Sequence, residues 1–227
     1  MPFPDLPDRL RDVREKIDLA ARRGGHGQAV TIVAVTKTHG ADAVQAAWDA
    51  GLRDVGENRV QEALPKIDAT SVPVRWHLIG HLQRNKAKAV VKFELFHSLD
   101  SGRLADTIHE IGIAEASPIN ALVQVNVVGE ETKGGYDRAE WAPEAERLRG
   151  LAGIRVRGVM TMAPFDANEA VLRTVFAGAR DARDILCSAG HEATELSMGM
   201  SNDYEIAVEE GATLVRLGTI LFGARPA

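Results

Sequence analysis

The stretch Val30-Thr31-Ile32-Val33-Ala34-Val35-Thr36-Lys37 decides how the fold is read. Seven uncharged residues, three of them valine, precede one lysine. Such a run reads as a strand covered on both faces, the kind found in parallel sheets. Strand-like segments recur near residues 52–55, 74–79, 94–98, 120–127, 154–160, 193–196 and 213–217. Helical patterns lie between them, clearest at 168–187, where Val171, Val175, Ala179, Ala182 and Leu186 mark one apolar stripe. Ahead of the first strand, Leu10, Val13, Ile17 and Ala20 keep helical spacing up to a stop at Gly24-Gly25. A leading helix followed by a repeated strand–helix unit predicts an α/β fold, a (β/α)8 TIM-type barrel with an extra N-terminal helix. A doubly wound sheet is the runner-up. No linker, low-complexity tract or repeat divides the chain, which predicts a single domain over residues 1–227.

Composition bounds the function. At 45% hydrophobic and 26% charged residues the chain has the make-up of a soluble globular protein. Its 27 Lys+Arg against 32 Asp+Glu leave a net charge of -5, so no overall basic field points to nucleic acid or an anionic membrane. Cys187 is the only cysteine and reads as a small apolar helix residue; it cannot form an internal disulfide or a cysteine-based zinc site. The start, Met1-Pro2-Phe3-Pro4-Asp5, lacks a basic segment followed by an apolar one, and no run approaches the length of a membrane span. A cytoplasmic protein is expected.

Three clusters carry chemistry. Lys37 stands where a buried strand surfaces, and catalytic groups of parallel barrels sit at such strand ends. A lysine partly shielded from water loses its proton near neutral pH and attacks aldehydes, although a solvated lysine after a strand is the plain alternative. The second cluster, Glu195-Leu196-Ser197-Met198-Gly199-Met200-Ser201-Asn202-Asp203, follows the seventh strand, with Ser201 as a natural N-cap of the next helix. A helix start suits a phosphate, and a simple capped helix is the alternative. The third, Val215-Arg216-Leu217-Gly218-Thr219, closes the eighth strand. Loops after strands seven and eight of such barrels often form a phosphate site, so Ser201 and Gly218-Thr219 are expected to meet. Arg216 needs an acceptor at the barrel mouth, either a ligand or a strand carboxylate in an internal salt bridge.

Other segments are less decisive. Gly56-Glu57-Asn58-Arg59 follows the second strand and brings polar groups to the mouth. His77 and His81 are four apart, but a strand and Gly80 between them argue against the helical spacing of a zinc pair. Gln83-Arg84-Asn85-Lys86-Ala87-Lys88 reads as a solvated basic face, and Lys133-Gly134-Gly135-Tyr136 as a connection that has room for a lid.

Taken together, the chain resembles the pyridoxal phosphate homeostasis protein family over nearly its full length. The matching stretches are Ala34-Val35-Thr36-Lys37-Thr38, Gly56-Glu57-Asn58, Trp76-His77-Leu78-Ile79-Gly80, Leu82-Gln83-Arg84-Asn85-Lys86, His97-Ser98-Leu99-Asp100, Gly158-Val159-Met160, Leu196 to Asp203 and Arg216-Leu217-Gly218-Thr219. The resemblance implies the barrel half of alanine racemase, PLP fold type III, with pyridoxal 5'-phosphate (PLP) as cofactor. Carried over, Lys37 is the Schiff-base lysine and Arg216 the partner of the pyridine nitrogen. Ser201 with the Gly218 and Thr219 backbone forms the phosphate cradle, and Asn58 and His77 line the ring pocket. No catalytic or metal-ligating residue is implied.

The resemblance implies a monomer that stores, buffers or delivers PLP to PLP-dependent apo-enzymes, rather than an enzyme. The alternative is a single-domain amino-acid racemase or lyase of low activity using Lys37 with Tyr136, Tyr204 or His77. A barrel enzyme acting on a sugar phosphate would explain the cradle but not Lys37. An arginine on the pyridine nitrogen leaves the ring a weak electron sink, which favours holding over carbanion chemistry. Alanine racemase takes its second acid–base group from a further C-terminal domain, and this chain ends soon after its eighth strand. One departure from the family pattern is His39-Gly40, where many members carry a lysine and a proline, and PLP exchange is expected to feel it.

Overall fold

The computed structural model describes residues 3–129 and 134–223. Nine strands form one sheet: Thr31–Val35 (β1), Asp54–Glu57 (β2), Arg75–Leu78 (β3), Leu95–Leu99 (β4), Ile119–Asn126 (β5), Tyr136–Asp137 (β6), Ile154–Met160 (β7), Glu195–Ser197 (β8) and Leu214–Leu217 (β9). Neighbours run β4-β3-β2-β1-β9-β8-β7-β5, and β4 also pairs with β5. Eight strands therefore close into a barrel, which rules out the open doubly wound sheet. The pairings are parallel throughout, and β6 is a two-residue addition beside β5.

Alternation along β1 shows how the core divides. Ile32 and Ala34 pack into the large cluster shared with the helices, whereas Val33 joins Leu95, Leu122, Met160 and Leu214 in a small separate cluster. Successive side chains of a strand face opposite sides, so the small cluster fills the barrel and the large one lies between strands and helices. The leading helix spans Leu6–Gly24 and buries Leu6, Leu10, Val13, Ile17 and Ala20, the expected stripe, before Gly25 ends it at φ 69. Helix Glu169–Ser188 is capped by the Asn168 side chain, which accepts from the Val171 N–H.

The second strand lies two residues later than expected. Leu52 N–H donates to the Ala47 carbonyl at 2.9 Å, and Gly51 turns the chain at φ 88. Leu52 thus still belongs to the turn that closes the preceding helix. Pairing begins at Asp54, opposite Val33 and Arg75, and carries Gly56 and Glu57 into the sheet.

Candidate functional site

Where the strands end, their C-terminal loops surround a cavity of about 860 Å³. Six residues singled out in the sequence line it: Lys37, Asn58, Ser201, Arg216, Gly218 and Thr219. They come from four separate strand ends, those of β1, β2, β8 and β9, and only Arg216, Gly218 and Thr219 are neighbours in sequence. The strand order β2-β1-β9-β8 brings them together.

Lys37 is half-buried in a turn directly after β1. Behind it, the buried Thr36 is held on both sides. Its hydroxyl donates to Glu57 Oε1 at 2.5 Å, and its carbonyl accepts from Lys66 Nζ at 2.8 Å. Ahead of it, Thr38 has φ 71, a left-handed conformation that a β-branched residue adopts only under local strain. The amine is thus presented from a fixed backbone. Asn58 reaches the wall because Gly80 lets the neighbouring loop press close: a Cβ on Gly80 would stand 2.2 Å from the Asn58 carbonyl oxygen.

The phosphate side differs from the expectation in one respect. Ser201 does not cap a helix; the helix runs Tyr204–Glu209 and Asp203 is its N-cap. Asp203 Oδ1 accepts from the Met200 N–H at 2.5 Å, and the Met200 carbonyl accepts from Tyr204 at 2.9 Å, so a turn fills residues 200–203 before the helix can start. Ser201 sits in that turn and faces the last loop. Its Oγ accepts from the Ile220 N–H at 3.4 Å, so Ser201 and the Gly218-Thr219 segment do meet. Gly199 allows this path: at φ 89, a Cβ there would lie 2.6 Å from that of Ala207.

Arg216 projects from β9 to the cavity floor and is 4% exposed. Nη1 donates to the Ser197 carbonyl and hydroxyl, each at 2.7 Å, and Nη2 to the Thr161 carbonyl at 2.9 Å. The observed partners are neutral acceptors rather than the carboxylate of an internal salt bridge. Burial pulls the guanidinium down to about 10 against the pull of Asp203, so it stays charged at neutral pH.

Three expectations need correction. His77 does not line the cavity; its ring is 3% exposed inside the barrel, 2.9 Å from His97 Nε2 and 3.0 Å from Asp54 Oδ1. The buried strand closes over it. Glu57 turns away from the mouth into the helix layer, where Lys66 Nζ lies 2.6 Å from it. Tyr136 and Tyr204 pack in the large outer cluster and not in the cavity. Tyr136 donates to Glu144 at 2.7 Å, and burial pushes Tyr204 up to about 12.

Of the loop at 129–136, Lys133 lies outside the described residues, while the Gly134 carbonyl accepts from Gln124 Nε2 at 2.6 Å. Arg84–Lys92 forms a 3-10 helix with Arg84, Asn85 and Lys88 exposed, as a solvated face requires. Among the described residues no cluster of three metal-ligating side chains occurs, and no helix is long and apolar enough to cross a membrane. The sequence reading missed the His81–Asp100 pair on the cavity rim, with Nδ1 2.8 Å from the carboxylate. It also assigned nothing to His97, Ser197 or Asp54. Polar residues in otherwise apolar buried strands were the signal.

A closed parallel barrel with a lysine after its first strand and a buried arginine on its last defines an alanine racemase-type barrel. The family model described as alanine racemase, N-terminal domain, matches residues 9–226. The pyridoxal phosphate homeostasis protein of Aquifex aeolicus is 40% identical over 222 residues, covering 96% of this chain and 97% of that protein. Its counterpart from Escherichia coli is 37% identical over 235 residues, covering 97% of each. PipY of Synechococcus elongatus, solved with PLP bound, superposes with a TM-score of 0.85 at 36% identity, covering 96% of this chain and 100% of that one. Alanine racemase of Corynebacterium glutamicum, at 16% identity and a TM-score of 0.70, covers 93% of this chain and 60% of its own, and shares the fold. The chain belongs to the pyridoxal phosphate homeostasis protein family.

Proposed function

We propose that this protein binds PLP in the strand-end cavity and holds it for storage, buffering or delivery to PLP-dependent apo-enzymes, working in the cytoplasm as a monomer. The observation that carries this reading is the convergence of Lys37, Arg216 and the Ser201/Gly218-Thr219 corner in one cavity. An amine, a fixed cation and a polar turn suit the three parts of the cofactor. When bound, PLP supplies an aldehyde that an amine can capture and a ring that withdraws electrons.

Each residue has its task. Lys37 presents the amine and is the covalent anchor, held by the Thr36–Glu57–Lys66 contacts behind it. Arg216 donates a hydrogen bond toward the ring nitrogen and keeps its own proton. Ser201 Oγ and the backbone at Gly218 and Thr219 hold the phosphate through hydroxyl and N–H donors, without help from a long helix. Asn58 lines the ring side, and His77 acts from behind the wall.

The racemase or lyase alternative needs a second acid–base group in the cavity. Tyr136, Tyr204 and His77, the candidates for it, do not line the cavity, which supports holding over turnover. The test is to titrate the protein with PLP, reduce with borohydride and map the adduct. Label on Lys37 is expected; label elsewhere, or none, overturns the reading. Incubating the loaded protein with amino acids in deuterated water reads turnover, and exchange at Cα would make it an enzyme.

A further inference from the structure

A line of buried polar side chains crosses the barrel behind the cavity. Asp54 Oδ1 lies 3.0 Å from His77 Nε2, His77 Nδ1 2.9 Å from His97 Nε2, and His97 Nδ1 2.8 Å from Ser197 Oγ. The line ends at Arg216, whose Nη1 donates to Ser197 Oγ at 2.7 Å. All five side chains belong to buried residues. Arg75, 56% exposed, closes the far end with two hydrogen bonds to Asp54 of 2.7 and 2.6 Å.

Counting donors orients every proton. A guanidinium only donates, so Ser197 Oγ receives from Arg216; the Asp54 carboxylate at the other end, which only accepts, sets the direction of the rest and has the Ser197 hydroxyl give its proton to His97 Nδ1. His97 then carries its proton on Nε2 and donates to His77 Nδ1. His77 in turn carries its proton on Nε2 and donates to the Asp54 carboxylate, which only accepts. The opposite arrangement sets a bare His77 nitrogen against that carboxylate, or places one more positive charge in the barrel. Burial, with His77 and Arg216 nearby, pushes His97 well below the ordinary histidine range and keeps it neutral. Burial would raise the Asp54 carboxyl, but bonds from His77 and Arg75 hold it down at about 2. Four bonds thus point the same way from a cation to an anion, and aligned bonds strengthen one another.

We propose that His97, backed by His77 and Asp54, is a positioning residue for Arg216. It holds the Ser197 hydroxyl as the acceptor that fixes the guanidinium, and so ties the charge offered to the ligand's ring to a carboxylate across the barrel. The proposal rests on the reading of the cavity as a PLP site. It also accounts for an arginine that is buried yet hydrogen-bonded to neutral acceptors.

Two measurements test it. In the ligand-free protein with 15N-labelled histidine, NMR is expected to show His97 neutral, with its proton on Nε2, between pH 5.5 and 8. A proton on His97 Nδ1, or a charged His97 in that range, overturns the proposal. In the PLP-loaded protein, His97→Met removes acceptor and donor, whereas His97→Gln keeps one of each. His97→Met is expected to move the absorbance maximum of the bound cofactor and weaken retention about three- to tenfold, the loss of roughly one hydrogen bond. His97→Gln should restore most of both. Wild-type spectrum and retention in a folded His97→Met protein overturn the proposal. If His97→Met does not fold, Ser197→Ala against Ser197→Thr makes the same comparison. Wild-type protein that takes up no PLP sinks the cavity reading instead, and the NMR measurement still decides how the line is oriented.

Discussion

Lys66 donates to the carbonyl of Thr36 at 2.8 Å, so the peptide that leads into Lys37 is held by a side chain from the helix Val60–Ala69. The same ammonium lies 2.6 Å from Glu57 Oε1, and Glu57 is fully buried. Removing one partner of a buried pair leaves the other charge uncompensated. Lys66→Met is therefore expected to destabilise the fold by about 3–5 kcal/mol. Adding Glu57→Gln should recover much of that loss. Urea unfolding of the single and double variants decides it, and equal stability of Lys66→Met and wild type would show that the pair carries no weight.

Lys37→Ala should remove borohydride trapping while leaving the fold intact, because a half-buried side chain in a turn contributes little packing. Weak, non-covalent PLP binding should persist through the Ser201/Gly218-Thr219 corner and Arg216. Trapping that survives in this variant would place the anchor on another lysine.

Ser201→Ala separates the phosphate role from a structural one. Since Asp203 and not Ser201 caps the helix, the substitution removes no cap but only the long 3.4 Å bond from the Ile220 N–H, and should cost about 0.5–1.5 kcal/mol. PLP affinity should fall while pyridoxal affinity barely moves, because only PLP carries the phosphate. An unchanged ratio of the two affinities would leave the backbone at Gly218 and Thr219 to hold the phosphate alone.

Arg216→Met should weaken PLP retention on the order of tenfold or more, the loss of one charge-assisted hydrogen bond. It should also cost stability, since Ser197 and the Thr161 carbonyl lose their donor inside the barrel. Retention and absorbance matching wild type would reassign Arg216 to structure alone.

Acid should expose the buried histidine. His97 stays neutral in the fold, whereas in the unfolded chain it takes up a proton near its ordinary value of 6.5. The unfolded state therefore gains protons as pH falls below that value, and stability drops by about 1.4 kcal/mol per pH unit. Asp54, held at about 2, keeps its full contribution above roughly pH 4 and loses it only as pH falls toward 2, outside this window. Unfolding at pH 7.5 and 5.5 should thus differ by about 1.4 kcal/mol more in wild type than in His97→Gln. Identical pH dependence in the two proteins would show that His97 is not buried neutral.

Much of the site was legible because barrel chemistry gathers at strand ends. Lys37, Asn58, Arg216 and Gly218 each stand at or just after the end of a strand, and the structure brings them to one cavity. Ser201 was placed at the right corner for the wrong reason: a serine after glycine reads as a cap, but Asp203 takes that position once its carboxylate closes on Met200. His77 shows the limit more sharply. Its place in the strand was plain, yet whether its ring faces the ligand or a second histidine depends on His97, twenty residues away on the next strand.

By itself the sequence determined the number of barrel strands, their order along the chain, the leading helix and the strand ends at which the candidate site residues stand. These follow from local periodicity, and local periodicity is written residue by residue. Tertiary structure decided which faces those residues share. Closing β4 on β5 turned an apolar alternation into a barrel interior, and there the buried Asp54, His77, His97, Ser197 and Arg216 satisfy one another. Hydrogen bonds between residues up to 100 positions apart leave no trace in any local window, so only the closed fold could reveal them.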